Sequence, residues 1–220
     1  MRGKSIVAIA TAVMMWPMTA TAASPQLKGT YAFSGMATCL YSGGPFASNL
    51  SPTVWPGFPF PNPSGNGIFT SSFSVEGMRT FNGDGTGSIT GTSVDIVGPP
   101  SVNPRASVAN FTANFTYTLD GNGGFNSQVV PGSFVLTSVL PVAGQVITLD
   151  NLNLDGLIGN NRSALTLAST TAVVEKETAQ NFAFVPSSVT GGAPITERYR
   201  ICARARGLIL MQPGDKEHDD

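Results

Sequence analysis

Residues able to do chemistry are few in this chain, and their spacing argues against most familiar reactions. The only histidine, His218, stands in the polar run 212–220. That run is expected to be disordered, which disfavours a hydrolase triad, a cysteine–histidine pair or a histidine metal site. The two cysteines, Cys39 and Cys202, lack the C-x-x-C spacing of a redox pair and are expected to form one structural disulfide. On the chain-entropy view, closing so long a loop contributes about 5 kcal/mol. Carboxylates at Glu76, Asp95, Glu175, Glu177 and Glu197 could pair for acid–base work, but nothing in their spacing selects two of them. Solvated surface positions are the expectation. No catalytic residue, metal site or cofactor is assigned on these grounds.

Arg198, Arg200, Arg204 and Arg206 recur at period two, with Cys202 between them. Directed into an enclosed interior, they would form an anion pocket. Burial without matched carboxylates is costly, however, and the opposite face offers Tyr199, Ile201, Ala203 and Ala205 as a natural core. The arginines are therefore placed outside. This conflicts with the disulfide, because Cys39 shares its face with Phe33 and Tyr41; a β-bulge near Gly35 would reconcile the two. Asp84-Gly85-Thr86-Gly87 and Asp120-Gly121-Asn122-Gly123 read as hairpin turns, with glycine supplying positive φ. One carboxylate per loop is too few for calcium, and glycines that lead into a strand do not cradle phosphate at a helix N-terminus.

The elements that carry these residues follow from composition and periodicity. Charged residues are only 11% of the chain, while glycine is abundant, a balance that suits short strands and tight turns rather than long amphipathic helices. Alternation predicts strands at 28–41, 67–82, 88–97, 108–119, 125–130, 133–140, 145–154, 163–168 and 197–211, with 171–181 open between strand and helical turn. In 108–119, Ala109, Phe111, Ala113, Phe115, Tyr117 and Leu119 share one face, so a slip of one residue would expose every aromatic. The stretch 43–65 is rich in proline, interleaved with Phe46, Trp55, Phe58 and Phe60, and cannot serve a central ladder. It is read as an ordered loop over one end of the fold, as a lid over an apolar cavity, or as a sticky surface for a partner.

The fold class predicted is all-β, a single antiparallel barrel of about eight to ten strands, with a two-sheet sandwich as the alternative. A bond between cysteines in the first and last strands favours closure, which makes those strands neighbours. Residues 1–22 pair Arg2 and Lys4 with an apolar stretch and end in Ala20-Thr21-Ala22, the pattern of a cleaved signal peptide. The expected organisation is leader 1–22, one domain 23–211 and tail 212–220. Losing the leader would leave ten basic against thirteen acidic residues, a net charge near −3, which speaks against nucleic-acid binding. No second apolar run is long enough to span a bilayer. Export to the periplasm or the exterior is the expected localisation.

Leu27, Gly29, Tyr31 and Phe33, then Phe81, Gly83 and Gly85, then Tyr117, Asp120 and Gly121 resemble a strand and turn pattern of secreted bacterial proteins of unknown function. The resemblance covers residues 27–125 best. It implies a small closed barrel similar to lipocalins or to allene oxide cyclase and dirigent barrels, and it carries over no catalytic residue. The expected function is binding of a small apolar ligand, with Phe111, Phe115, Tyr117, Phe134 and Trp55 as candidate lining. The same rings would equally fill a solid core. A barrel cyclase or isomerase, a non-catalytic surface or matrix protein and, more distantly, an outer-membrane barrel are the rivals.

Overall fold

The computed structural model describes residues 26–54, 67–97, 105–159, 162–190 and 192–211. Eleven strands appear in order: β1 (Lys28–Ser42), β2 (Phe69–Asn82), β3 (Thr86–Val97), β4 (Arg105–Leu119), β5 (Gly124–Val129), β6 (Phe134–Leu140), β7 (Val146–Asp150), β8 (Asn153–Ile158), β9 (Ala164–Ala168), β10 (Val174–Ala179) and β11 (Glu197–Leu210), with one helical turn, α1 (Ser187–Thr190), before the last. All pair antiparallel in a single sheet. Residues 1–22, expected to be a signal peptide, the tail with His218, and Trp55, Phe58 and Phe60 lie outside the described residues.

The pairing β1–β11 joins the first strand to the last and closes a ring of eight strands. Closure removes free sheet edges. The order is not a simple up-and-down meander, however. β4 pairs with β6 through Val108–Thr112 and with β5 through Phe115–Leu119. β11 pairs with β10 through Glu197–Ile201 and with β9 through Ala205–Ile209. The long strands β1 to β4 and β11 thus run the full height of the wall, while the remaining side consists of two panels, β5-β8-β9 and β6-β7-β10.

Asn151 creates this division. The alternating stretch 145–154 reads as one strand but is two, because Asn151 adopts φ 67°, a left-handed conformation that asparagine tolerates. The chain leaves β7, which pairs with β6 and β10, and enters β8, which pairs with β5 and β9. Hairpin turns elsewhere follow the Asp-Gly chemistry. Asp84 Oδ1 accepts from the amide and hydroxyl of Thr86, and Asp120 Oδ1 accepts from the amides of Asn122 and Gly124.

Alternation puts Tyr31, Phe33, Phe81, Phe111, Phe115, Tyr117 and Phe125 inside. Asn110, Thr112, Asn114 and Thr116, the other face of β4, are exposed. At the β5-β8-β9 end, Phe81 meets the rings of Tyr31, Phe115, Tyr117 and Phe125 with centroids between 5.1 and 5.9 Å apart. The Tyr117 hydroxyl donates to Leu27 O and that of Tyr31 to Arg162 O, both at 2.6 Å. Each buried phenol is thereby satisfied, as an apolar setting requires.

Candidate functional site

Cys39 and Cys202 stand directly opposite one another in the β1–β11 ladder and are bonded. Residues paired in this way share a face of the sheet, and the face of Cys39 holds Phe33 and Tyr41, which are interior. The face of Cys202 is therefore interior too. This overturns the outside placement of the arginines: Arg200, Arg204 and Arg206 are buried, while Ala203 and Ala205 are exposed. The β1–β11 register runs unbroken from Tyr31↔Leu210 to Ser42↔Tyr199, with no bulge near Gly35. Gly35 instead leaves space for an arginine stem, since a Cβ there would press on Ala205 O and lie 2.6 Å from Arg206 Cγ.

What makes the inward arginines tolerable is β10. Glu175 and Glu177, expected at the solvated surface, are 1% and 3% exposed and face Arg200 and Arg198 across the ladder. Arg198 Nε donates to Glu177 Oε2 at 2.5 Å, Arg200 Nε to Glu175 Oε2 at 2.8 Å, and Arg204 Nη2 to the same oxygen at 2.6 Å. Arg200 Nη1 bridges Glu177 and the Tyr41 hydroxyl. Burial pushes both glutamates up most strongly, yet the surrounding guanidiniums win and hold them below the usual carboxylate range. Burial alone would lower Arg200, but Glu177, Tyr41 and Glu175 together hold it well above its ordinary value. Arg198 lies 4.7 Å from the Tyr41 ring centroid and 4.1 Å from that of Phe184, a stacked cation.

Two other buried guanidiniums have no carboxylate partner among the described residues. Arg79, in β2, donates from Nη2 to Ser127 Oγ at 2.7 Å and lies 3.9 Å from the centroid of Phe115, with Nε and Nη1 unpartnered. Arg206 is 8% exposed and its Nε is likewise unpartnered. Burial lowers both to about 9; the charge of Arg206 adds to the effect on Arg79, while on Arg206 the charge of Arg204 adds and that of Glu175 opposes. Both remain cations at neutral pH.

Between this charged wall and the aromatic wall lies a cavity of about 200 Å³. Phe69, Phe73, Val75, Phe111, Phe134 and Leu136 line its apolar side, and Asp95, Glu177, Arg198, Arg200, Arg204 and Arg206 its polar side. Phe111 and Phe134 stack with centroids 5.7 Å apart. Of the sequence candidates, Phe111 and Phe134 border the cavity, whereas Phe115 and Tyr117 belong to the aromatic cluster at the other end. Asp95 accepts from the Ser71 hydroxyl; burial raises its carboxyl, with that hydrogen bond opposing. The buried charges escaped sequence reasoning, but a signal existed. Glu175-x-Glu177 and Arg198-x-Arg200 are period-two runs of opposite charge in strands fit to pair.

Among the described residues, no group of three or more histidine, cysteine, aspartate or glutamate side chains is placed to hold a metal ion. No helix there is long and apolar enough to cross a membrane. No protein-family model matches the chain, and no curated protein matches it. Among solved structures, an enduracididine biosynthesis enzyme, MppR, complexed with pyruvate aligns at 12% identity over 91% of this chain and 95% of that one, with a TM-score of 0.16. The same enzyme with HEPES buffer bound aligns at 10% identity over 88% and 96%, with a TM-score of 0.18. Scores this low carry no inference about fold or activity.

Proposed function

We propose that this chain is an exported, non-enzymatic binding protein that holds a small, mainly apolar ligand inside its ring. The observation that carries the reading is the cavity of about 200 Å³ walled by Phe69, Phe73, Phe111 and Phe134. A dry cavity of about 150 Å³ suffices for benzene, so this space suits a ligand on the order of ten non-hydrogen atoms. Aromatic walls with a few convergent polar groups are the usual make-up of such sites. The Cys39–Cys202 bond supports an oxidising destination, since such bonds persist outside the reducing cytosol.

Naphthalene, neutral and of suitable size, is the test probe. It should raise the thermal midpoint of the purified protein, and Ala109→Phe, which fills the cavity from a buried wall position, should abolish the rise. Native mass spectrometry of protein purified from its own host should also reveal a retained small molecule. Absence of both the shift and a retained molecule would end the carrier reading.

One observation favours a second reading, a cyclase or isomerase that shapes a reactive substrate. Asp95 borders the cavity with a carboxyl raised by burial, the kind of group that exchanges protons with a bound molecule. Carbonyl NMR titration of Asp95 decides its fitness. Full ionisation at or below the ordinary aspartate range would remove this reading.

A further inference from the structure

Among the described residues, the interior of the ring carries more positive than negative charge. Arg79, Arg198, Arg200, Arg204 and Arg206 stand against Glu175, Glu177 and Asp95. The glutamates are spent on Arg198, Arg200 and Arg204. Asp95 accepts from Ser71 and forms no ion pair with Arg206 among the described residues. Among the described residues, Arg206 is the cation bordering the cavity that no carboxylate pairs with directly. It is more than nine-tenths buried, its Nε has no partner, and its neighbour across the β1–β11 ladder is Gly35, which offers no side chain to it. Its guanidinium sits 5.5 Å from the Phe33 ring centroid, a contact that is weaker than a bidentate anion. An unpaired buried cation is costly. Arginine is also the side chain whose planar fork best matches a two-oxygen acid group.

We infer that the cavity takes a small amphipathic acid, its anionic head on the Arg206 guanidinium and its apolar body against Phe69, Phe73, Phe111 and Phe134. This rests on the carrier reading above and adds the chemical class of the ligand. The head supplies a directly bonded counter-charge, where Glu175 acts on Arg206 only from beyond its own pairs with Arg200 and Arg204, and desolvates against a group already withdrawn from water. The body replaces solvent along the aromatic wall. Arg79 is outside the cavity lining but close enough to interact with the charge of Arg206, so it reinforces the field there without touching the ligand.

Octanoate, 1-octanol and acetate, titrated into the purified protein by calorimetry, separate the parts of this inference. Octanoate should bind about tenfold or more tighter than 1-octanol, the advantage expected of hydrogen bonds to a charged group. Acetate, a head without a body, should bind far more weakly than octanoate. Arg206→Met should bring octanoate down to the level of 1-octanol and leave 1-octanol unchanged. Arg206→Lys, which keeps the charge, should retain part of the preference. The wild-type comparison depends on neither variant folding. Equal binding of octanoate and 1-octanol, or an octanoate advantage that survives Arg206→Met, overturns the anion assignment and leaves the carrier reading standing. Failure of octanoate and 1-octanol alike overturns the anion assignment, and together with the absence of a naphthalene shift and of a retained molecule it overturns the carrier reading too.

Discussion

Glu175 holds Arg200 and Arg204 at once, and both guanidiniums are buried. Removing one member of such a group leaves charge without compensation in a medium that cannot solvate it, a loss of about 3–5 kcal/mol. Glu175→Gln keeps the shape and removes the charge, so urea denaturation should register a loss of that size. A loss under about 1 kcal/mol, the worth of an exposed pair, would mean that water reaches the network. The same glutamates set the acid limb of stability. Glu175 and Glu177 are held below their ordinary value of 4.5 when folded, so the unfolded chain takes up protons first as pH falls. Their contribution is complete above about pH 4.5 and disappears as pH drops through the depressed folded values. Stability measured from pH 6 downward should fall in that window, and less steeply in Glu177→Gln. A profile identical to wild type would remove Glu177 from the account.

At the scale of the element, the β1–β11 seam decides which way the arginines point, and Gly35 is where it can be probed. A Cβ at Gly35 would strike the Ala205 carbonyl and the Arg206 stem, whereas a Cβ at Gly207, on the same seam, meets nothing within 4 Å. Gly35→Ala should cost about 1–3 kcal/mol, as overpacked sites do. Gly207→Ala should stay within about 0.5 kcal/mol of wild type. Comparable effects at both positions would place Arg206 elsewhere. The contrast also explains what could be read from sequence. Strand alternation located β1, β4 and β11 closely, and the two cysteines foretold the adjacency of β1 and β11, because both signals are local or covalent. The orientation of β11 was not legible from its own residues. Tyr199, Ile201, Ala203 and Ala205 look more like core than four arginines do, and only the Cys39↔Cys202 pairing together with the facing Glu175 and Glu177 reverses that preference. Phe111 and Phe134 were legible as interior rings. That they border open space while Phe115 and Tyr117 pack against other rings depends on which panel covers each half of β4, and alternation contains no such information.

Over the whole molecule, the long strands shared by the two panels join halves of different character. Beneath β5-β8-β9 the interior is filled by interlocking rings around Phe81; beneath β6-β7-β10 it holds paired charges and a cavity. Truncating a ring in a filled region removes its contacts and leaves a new void, whereas truncating one that already faces space mainly enlarges what is there. Phe81 is 1% exposed and touches four aromatic neighbours, so Phe81→Ala should cost about 3–5 kcal/mol. Phe134→Ala, at the cavity wall, should cost nearer ~2 kcal/mol, because fewer packed atoms lose a partner. Denaturant midpoints for the two variants, compared at equal slope, test the asymmetry directly. Equal losses would mean that the two ends are packed alike, and the open space on which ligand binding depends would have no energetic counterpart.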